Sequence, residues 1–216
     1  MSTPAVKDLL GVLAYGELVA FERIAADAAM APTLVDKAAL AAIADEVFRH
    51  YQQVSNYLTD HGIDPIEAME PFVEVLNNFH DHLAPRDWLE GLLKAYVGDG
   101  IAADFYREIS AHLDEETSRL VNDVLADVGQ TEFAVTRLRQ AIEEDPKVSG
   151  RLALWGRRMM GEMISQASLV ATSRPALQQI FADSAMRPEA AEQLSGLVNR
   201  LTVAHSRRMD ALGLAS

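Results

Sequence analysis

The chain has 216 residues, 19 Lys or Arg against 32 Asp or Glu, a formal net charge of −13 and no cysteine. The missing thiol excludes a disulfide framework, a Cys-type zinc site, a thiolate nucleophile and a Cys-ligated iron–sulfur cluster, so any metal would rest on His, Asp, Glu or a carbonyl oxygen. The N-terminal MSTPAVKDLLGV lacks the basic start and long apolar core of a signal peptide, and no apolar run approaches the ~18–20 residues of a membrane span, so a cytoplasmic, non-membrane protein is expected. The length suits a single domain over 1–216.

Apolar residues recur at three- and four-residue spacing almost throughout, Ala is abundant, and Val and Ile never alternate over a long run, so the chain reads as all-α. The spacing predicts a first helix over about 6–30, ended by Pro32, and a second over about 36–58, with Asp36 as its cap and His61–Gly62 at its close. Asp64–Pro65 opens a shorter segment to about 82. A third long helix follows over 87–113 and a fourth over 114–144, opened by Asp114, Glu115 and Glu116. Further helices are predicted over 150–172 and 188–212, with a short one over 174–184. Two helical hairpins joined by one longer connection describe a four-helix bundle with a crossover segment, the ferritin-like arrangement, here with additional C-terminal helices. Met159, Met160 and Met163 in the fifth long helix suggest that it is buried against the bundle or a second subunit, which makes a homodimer through the C-terminal helices an expectation.

Each hairpin carries polar residues where the helical period calls for apolar ones. Glu17 shares a stripe with Leu10, Leu13, Phe21 and Ile24, and His50 shares one with Ile43, Val47, Val54 and Tyr57. Asp99 lies among Leu92, Tyr96, Ala103 and Tyr106, while Asp127 lies between Leu120 and Ala134 with Asp123 and Gln130 adjoining. A buried carboxylate needs a cation, a hydrogen-bond set or a metal. The first hairpin turns near residue 32, which sets Glu17 level with residues 47–48; the second turns near 114, which sets Asp99 level with 128–129. Three carboxylates and an imidazole meeting in a bundle core is how carboxylate-bridged di-iron sites are built.

The stretches AYGELVAFER, DEVFRHY, YVGDGIAADFY and LADVGQTEF resemble the ferritin-like superfamily, and more narrowly its actinobacterial branch related to tRNA-(2-methylthio-isopentenyl-adenosine) hydroxylase. The similarity spans about residues 8–172. It implies a pair of iron ions and an oxygen-dependent hydroxylase, an oxidoreductase with tRNA as substrate. The implied ligands fall at Glu17, at position 47 with His50, at Asp99, and at Asp127 with position 130. The sequence has Val47 where a bridging carboxylate is expected and Gln130 where the second histidine is expected. The metal set that remains is Glu17, His50, Asp99 and Asp127, with Glu46, Asp123, Gln130 and Glu162 as additional candidates. Catalytic residues are not assigned.

Three readings follow: a retired bundle whose inward polar residues form a hydrogen-bonded network without metal, a di-metal hydroxylase, and a mononuclear metal protein. Residues 1–147 hold 11 basic and 27 acidic residues and residues 148–216 hold 8 and 5. The acidic body repels nucleic acid, and a landing surface for tRNA would have to come from Arg151, Arg157, Arg158, Arg174, Arg187, Arg200, Arg207 and Arg208. The histidines at 61, 80, 82, 112 and 205 fall at helix ends or amphipathic positions and read as solvated or capping. Phosphate loops, nucleophile elbows and dinucleotide fingerprints are absent.

Overall fold

The computed structural model describes residues 4–126, 129–173 and 190–214, and helices are the only regular structure among them. The first hairpin pairs α1 (Pro4–Asp27) with α2 (Leu34–Asp60) across a single 3₁₀ turn at Ala28–Met30. Asp36 is not the cap of α2. Thr33 takes that place, accepting from the Asp36 amide at 3.1 Å while its hydroxyl donates to Asp36 Oδ2 at 2.7 Å. One turn inside the helix, the Asp36 carboxylate is free to accept from Arg137 Nε at 2.6 Å, which ties the first hairpin to the second.

The connection consists of α3 (Pro65–Met69), a 3₁₀ turn (Glu70–Phe72) and α4 (Val73–His82). Asp64 caps α3 through the Ile66 amide at 2.8 Å, with Pro65 in the first turn where no amide is needed. The far end of α4 is closed from another helix: Lys94 Nζ donates to Leu83 O at 2.8 Å and to His80 O at 3.4 Å. An ammonium there meets the unpaired carbonyls and the negative end of the helix dipole together.

The second hairpin begins with α5 (Trp88–Ser110), capped by Asp87. Its return limb differs from the single helix expected over 114–144. It is split into α6 (Glu115–Val124), capped by Asp114, and α7 (Gln130–Glu144). Gly129, immediately before α7, has φ of +88°, a left-handed conformation that costs glycine little because it has no Cβ. Gln130 thereby becomes the first residue of α7 rather than a mid-helix residue. The long helices α8 (Lys147–Ser173) and α9 (Ala190–Ala211) pack on α5. The short helix expected over 174–184 lies outside the described residues.

The interior holds two principal apolar clusters. One contains Leu10, Leu13 and Ala14 of α1, Val54 and Leu58 of α2, and Val121 and Val124 of α6. The other contains Ile24, Ile43, Val47, Leu93, Val97, Leu138, Leu152 and Met159. On α1 the seam between them falls at Glu17, and on α2 at His50. The bundle therefore has a polar layer across its middle, with apolar packing above and below.

A polar layer in the bundle core

Glu17 and His50 meet in this layer. His50 Nδ1 lies 3.6 Å from Glu17 Oε2, and their side chains are 11 % and 16 % exposed respectively. That separation is a close polar contact and too long for a hydrogen bond. Burial pushes the Glu17 carboxyl above the usual carboxylate range, and the neighbouring imidazole offsets part of the effect.

Asp99 and Gln130 meet where α5 packs on α7. The Gln130 side-chain amide donates to Asp99 Oδ2. Above about pH 7, where Asp99 is ionised, its carboxylate accepts only, and the Gln130 amide meets it with the nitrogen. Asp99 departs from the sealed position expected of it, because water reaches it. Protein surroundings nonetheless push its carboxyl up to about 7, with burial the main cause; the negative charge of Glu17 adds to it, and Gln130 and Lys94 oppose it. Gly16 and Gly98, next to Glu17 and Asp99, would each project a Cβ into open space. Tyr106, half-buried, feels the same carboxylate: burial and the Glu17 charge raise its phenol.

The remaining candidates stand apart from this layer or do something else in it. Val47 is 5 % exposed and packed in the larger apolar cluster, with no atom able to bind a metal. Glu46 does not turn inward to replace it; with Asp45 it holds Arg49 on the exposed side of α2. Asp123 is exposed on α6. Glu162 joins His82 Nδ1 at 3.0 Å and Gln166 Nε2 at 2.8 Å, linking α8 to α4. Asp127 lies outside the described residues. Among the described residues no three His, Asp or Glu side chains converge closely enough to hold a metal ion.

Several ionisable groups that periodicity had not marked out are buried. Glu90 is fully enclosed; burial pushes its carboxyl upward, but hydrogen bonds from Arg86 and Arg151 outweigh this and hold it below the usual range. Lys94 is 8 % exposed, and burial lowers its amine to about 8, with Arg23 adding and Asp27, Asp99 and Asp81 opposing. His205 is not solvated, being 4 % exposed. In the sequence Glu90 and Lys94 look like ordinary charged positions of an amphipathic helix, and only Leu92 and Leu93 between them hint that this part of α5 is enclosed on every side.

The C-terminal arginines are mostly engaged within the molecule. Arg151 pairs with Asp87 and Glu90, Arg158 Nη2 donates to His82 O, Arg200 grips Glu108 through two nitrogens, and Arg208 holds Asp104 and Gly100 O. Arg174 and Arg187 lie outside the described residues. No described helix is long and apolar enough to cross a membrane.

A family model described as a ferritin-like domain of actinomycetes matches residues 2–184. No curated protein matches the chain.

Proposed function

The chain belongs to the ferritin-like domain family of actinomycetes, and on that basis we propose that it is a member whose central layer works without a di-iron centre, as a hydrogen-bonded acid–amide–imidazole network. One observation carries this reading: Gln130, at the position where the fourth helix would offer a histidine, turns an amide N–H toward Asp99 instead of offering a lone pair to a metal. Val47 supports it, because an apolar side chain packed in an apolar cluster supplies no bridging carboxylate. The donor set does not fit two irons, so no oxygen chemistry is assigned. The bundle is then a non-catalytic domain, or one of altered activity, with a water-accessible Asp99 in its polar layer.

A second reading is a mononuclear metal protein, favoured by the contact of Glu17 with His50 beside a carboxylate that water can reach. The tRNA hydroxylase branch of the superfamily is not part of the proposal, since four of the arginines such a substrate would need already hold protein groups.

Metal content of protein purified without chelator, followed by anaerobic Fe(II) titration, tests the reading. The wild type is expected to bind no stoichiometric iron, whereas the Val47→Glu/Gln130→His variant, with both ligands restored, is expected to take up two ions per chain. Two irons with an oxo-bridge absorption band in the wild type would overturn the proposal. One ion per chain, lost on His50→Ala, would establish the mononuclear reading in its place.

A further inference from the structure

Helix α9 docks on α5 and α8 through Leu197, Met209 and the turn that follows it, Leu212 and Leu214, all nearly inaccessible to water. His205 lies in the middle of this docking face, 4 % exposed, and neither of its ring nitrogens has a hydrogen-bond partner among the described residues. The contact is close. A Cβ on Gly156 of α8 would stand 2.4 Å from Met209 Cε and 3.8 Å from His205 Cε1. Cε1 sits between the two nitrogens, so both flank the edge of the ring that faces α8. A neutral imidazole carries one N–H and one lone pair, and neither is met there.

The charged groups around the ring are already committed. From α5 come Asp104, which accepts from Arg208 Nη2 at 2.6 Å, Glu108, held by Arg200 at 2.8 and 2.9 Å, and the buried Tyr96 phenol. From α7, Arg139 Nε donates to Ala211 O at 2.7 Å. From α8, Gly156 meets α9 at this level, and the apolar Met159 belongs to the same cluster as Met209. On α9 itself, Arg208 lies one turn from His205, and its Nη1 is buried without a partner among the described residues. A proton on His205 would therefore place a second cation beside Arg208 among apolar neighbours, while among the described residues Asp104 and Glu108 already hold Arg208 and Arg200.

We propose that His205 makes α9 an acid-released strap: protonation of its ring undocks α9 from α5 and α8. Burial first, and the Arg208 charge second, hold the ring below its ordinary value of 6.5. A base with a depressed folded-state pKa favours the docked form above 6.5 and loses that advantage as pH falls toward the folded value. One proton per opening raises the undocked population by up to about tenfold between pH 7.5 and 5.5. Undocking withdraws Arg208 from Gly100 O, the carbonyl next to Asp99.

Amide hydrogen exchange of the intact chain at pH 7.5, 6.5 and 5.5, corrected for the intrinsic pH dependence of exchange, reads this directly. Protection in α9 is expected to fall up to about tenfold across that range while α1 and α2 hold theirs. His205→Phe, which cannot titrate, is expected to abolish the fall, and His205→Gln serves the same purpose if the phenyl ring prevents folding. The proposal is overturned by unchanged α9 protection in the wild type, by an acid loss that survives both substitutions, or by an NMR titration placing the His205 ring at 6.5 or above.

Discussion

Asp99 shows how much a single position depends on its surroundings. The same side chain that a helical period marks as buried is reached by water, yet its carboxyl is pushed up to about 7 by burial, with Glu17 adding to it. The sign of the linkage follows. An acid whose folded-state pKa is raised binds its proton more tightly in the folded protein, so its contribution is fully present below about 4 and is lost as pH rises through 7. Thermal midpoints measured from pH 5 to 8 should decline toward neutrality for this reason, and Asp99→Asn should flatten the decline. A parallel decline in wild type and variant would show that Asp99 is an ordinary solvated acid. The pairing of Glu17 with His50 was legible from hairpin register, because the turn near residue 32 fixes which residues of α1 and α2 face each other. The role of Gln130 was not. It depends on the break at Gly129, and periodicity carries through a break that leaves the hydrophobic pattern intact.

Helices in this bundle are held by their ends and by close approaches as much as by apolar stripes. Lys94 closes α4 from α5, Asp36 reaches Arg137 from α2 to α7, and Arg139 holds the last carbonyl of α9. The pair Gly98 and Gly100 separates two uses of glycine within one turn of α5. Alanine at 98 would meet nothing within 4 Å, and alanine at 100 would bring Cβ to 2.3 Å from Arg208 Nε, on a side chain fixed by Asp104 and the Gly100 carbonyl. Gly98→Ala is therefore expected to stabilise by roughly 0.5–1 kcal/mol through helix propensity. Gly100→Ala is expected to destabilise by about 1–3 kcal/mol through overpacking. Urea melts of the two variants check both signs, and equal responses would mean that α9 does not press on α5 as described. Aspartates 64, 87 and 114 were readable as caps because each stands just ahead of an apolar-periodic run, where a short acceptor meets free amides. Asp36 looked like another such cap, but Thr33 three residues earlier forms the capping pair with it and leaves its second oxygen for a distant arginine.

At the scale of the molecule, several basic residues of the C-terminal third pair with acids of the N-terminal body. The net −16 of residues 1–147 and +3 of residues 148–216 meet within one fold, as Arg151 with Glu90, Arg200 with Glu108 and Arg208 with Asp104. These pairs hold α8 and α9 to α5 and leave an acidic exterior that repels a phosphate backbone. Bulk tRNA is accordingly expected to migrate unchanged in an electrophoretic mobility assay at low salt with excess protein. A retarded band that disappears with added salt would restore nucleic acid as a partner and point to the exposed Arg207.

The helical period, the proline and glycine punctuation and the absence of cysteine determined an all-α bundle with a crossover and set Glu17, His50 and Asp99 in one layer, because those signals are local and repeat every turn. Which acids are sealed, which are wet and which basic groups are free was decided only by tertiary structure. Burial of a charge is a property of everything packed around it. Glu90, Lys94 and His205 show no sign in their own helices of the elements that enclose them. The missing ligands were visible as letters, Val47 and Gln130. That Gln130 reaches Asp99 from the first turn of α7 follows from a left-handed glycine and a helix that starts one residue after it.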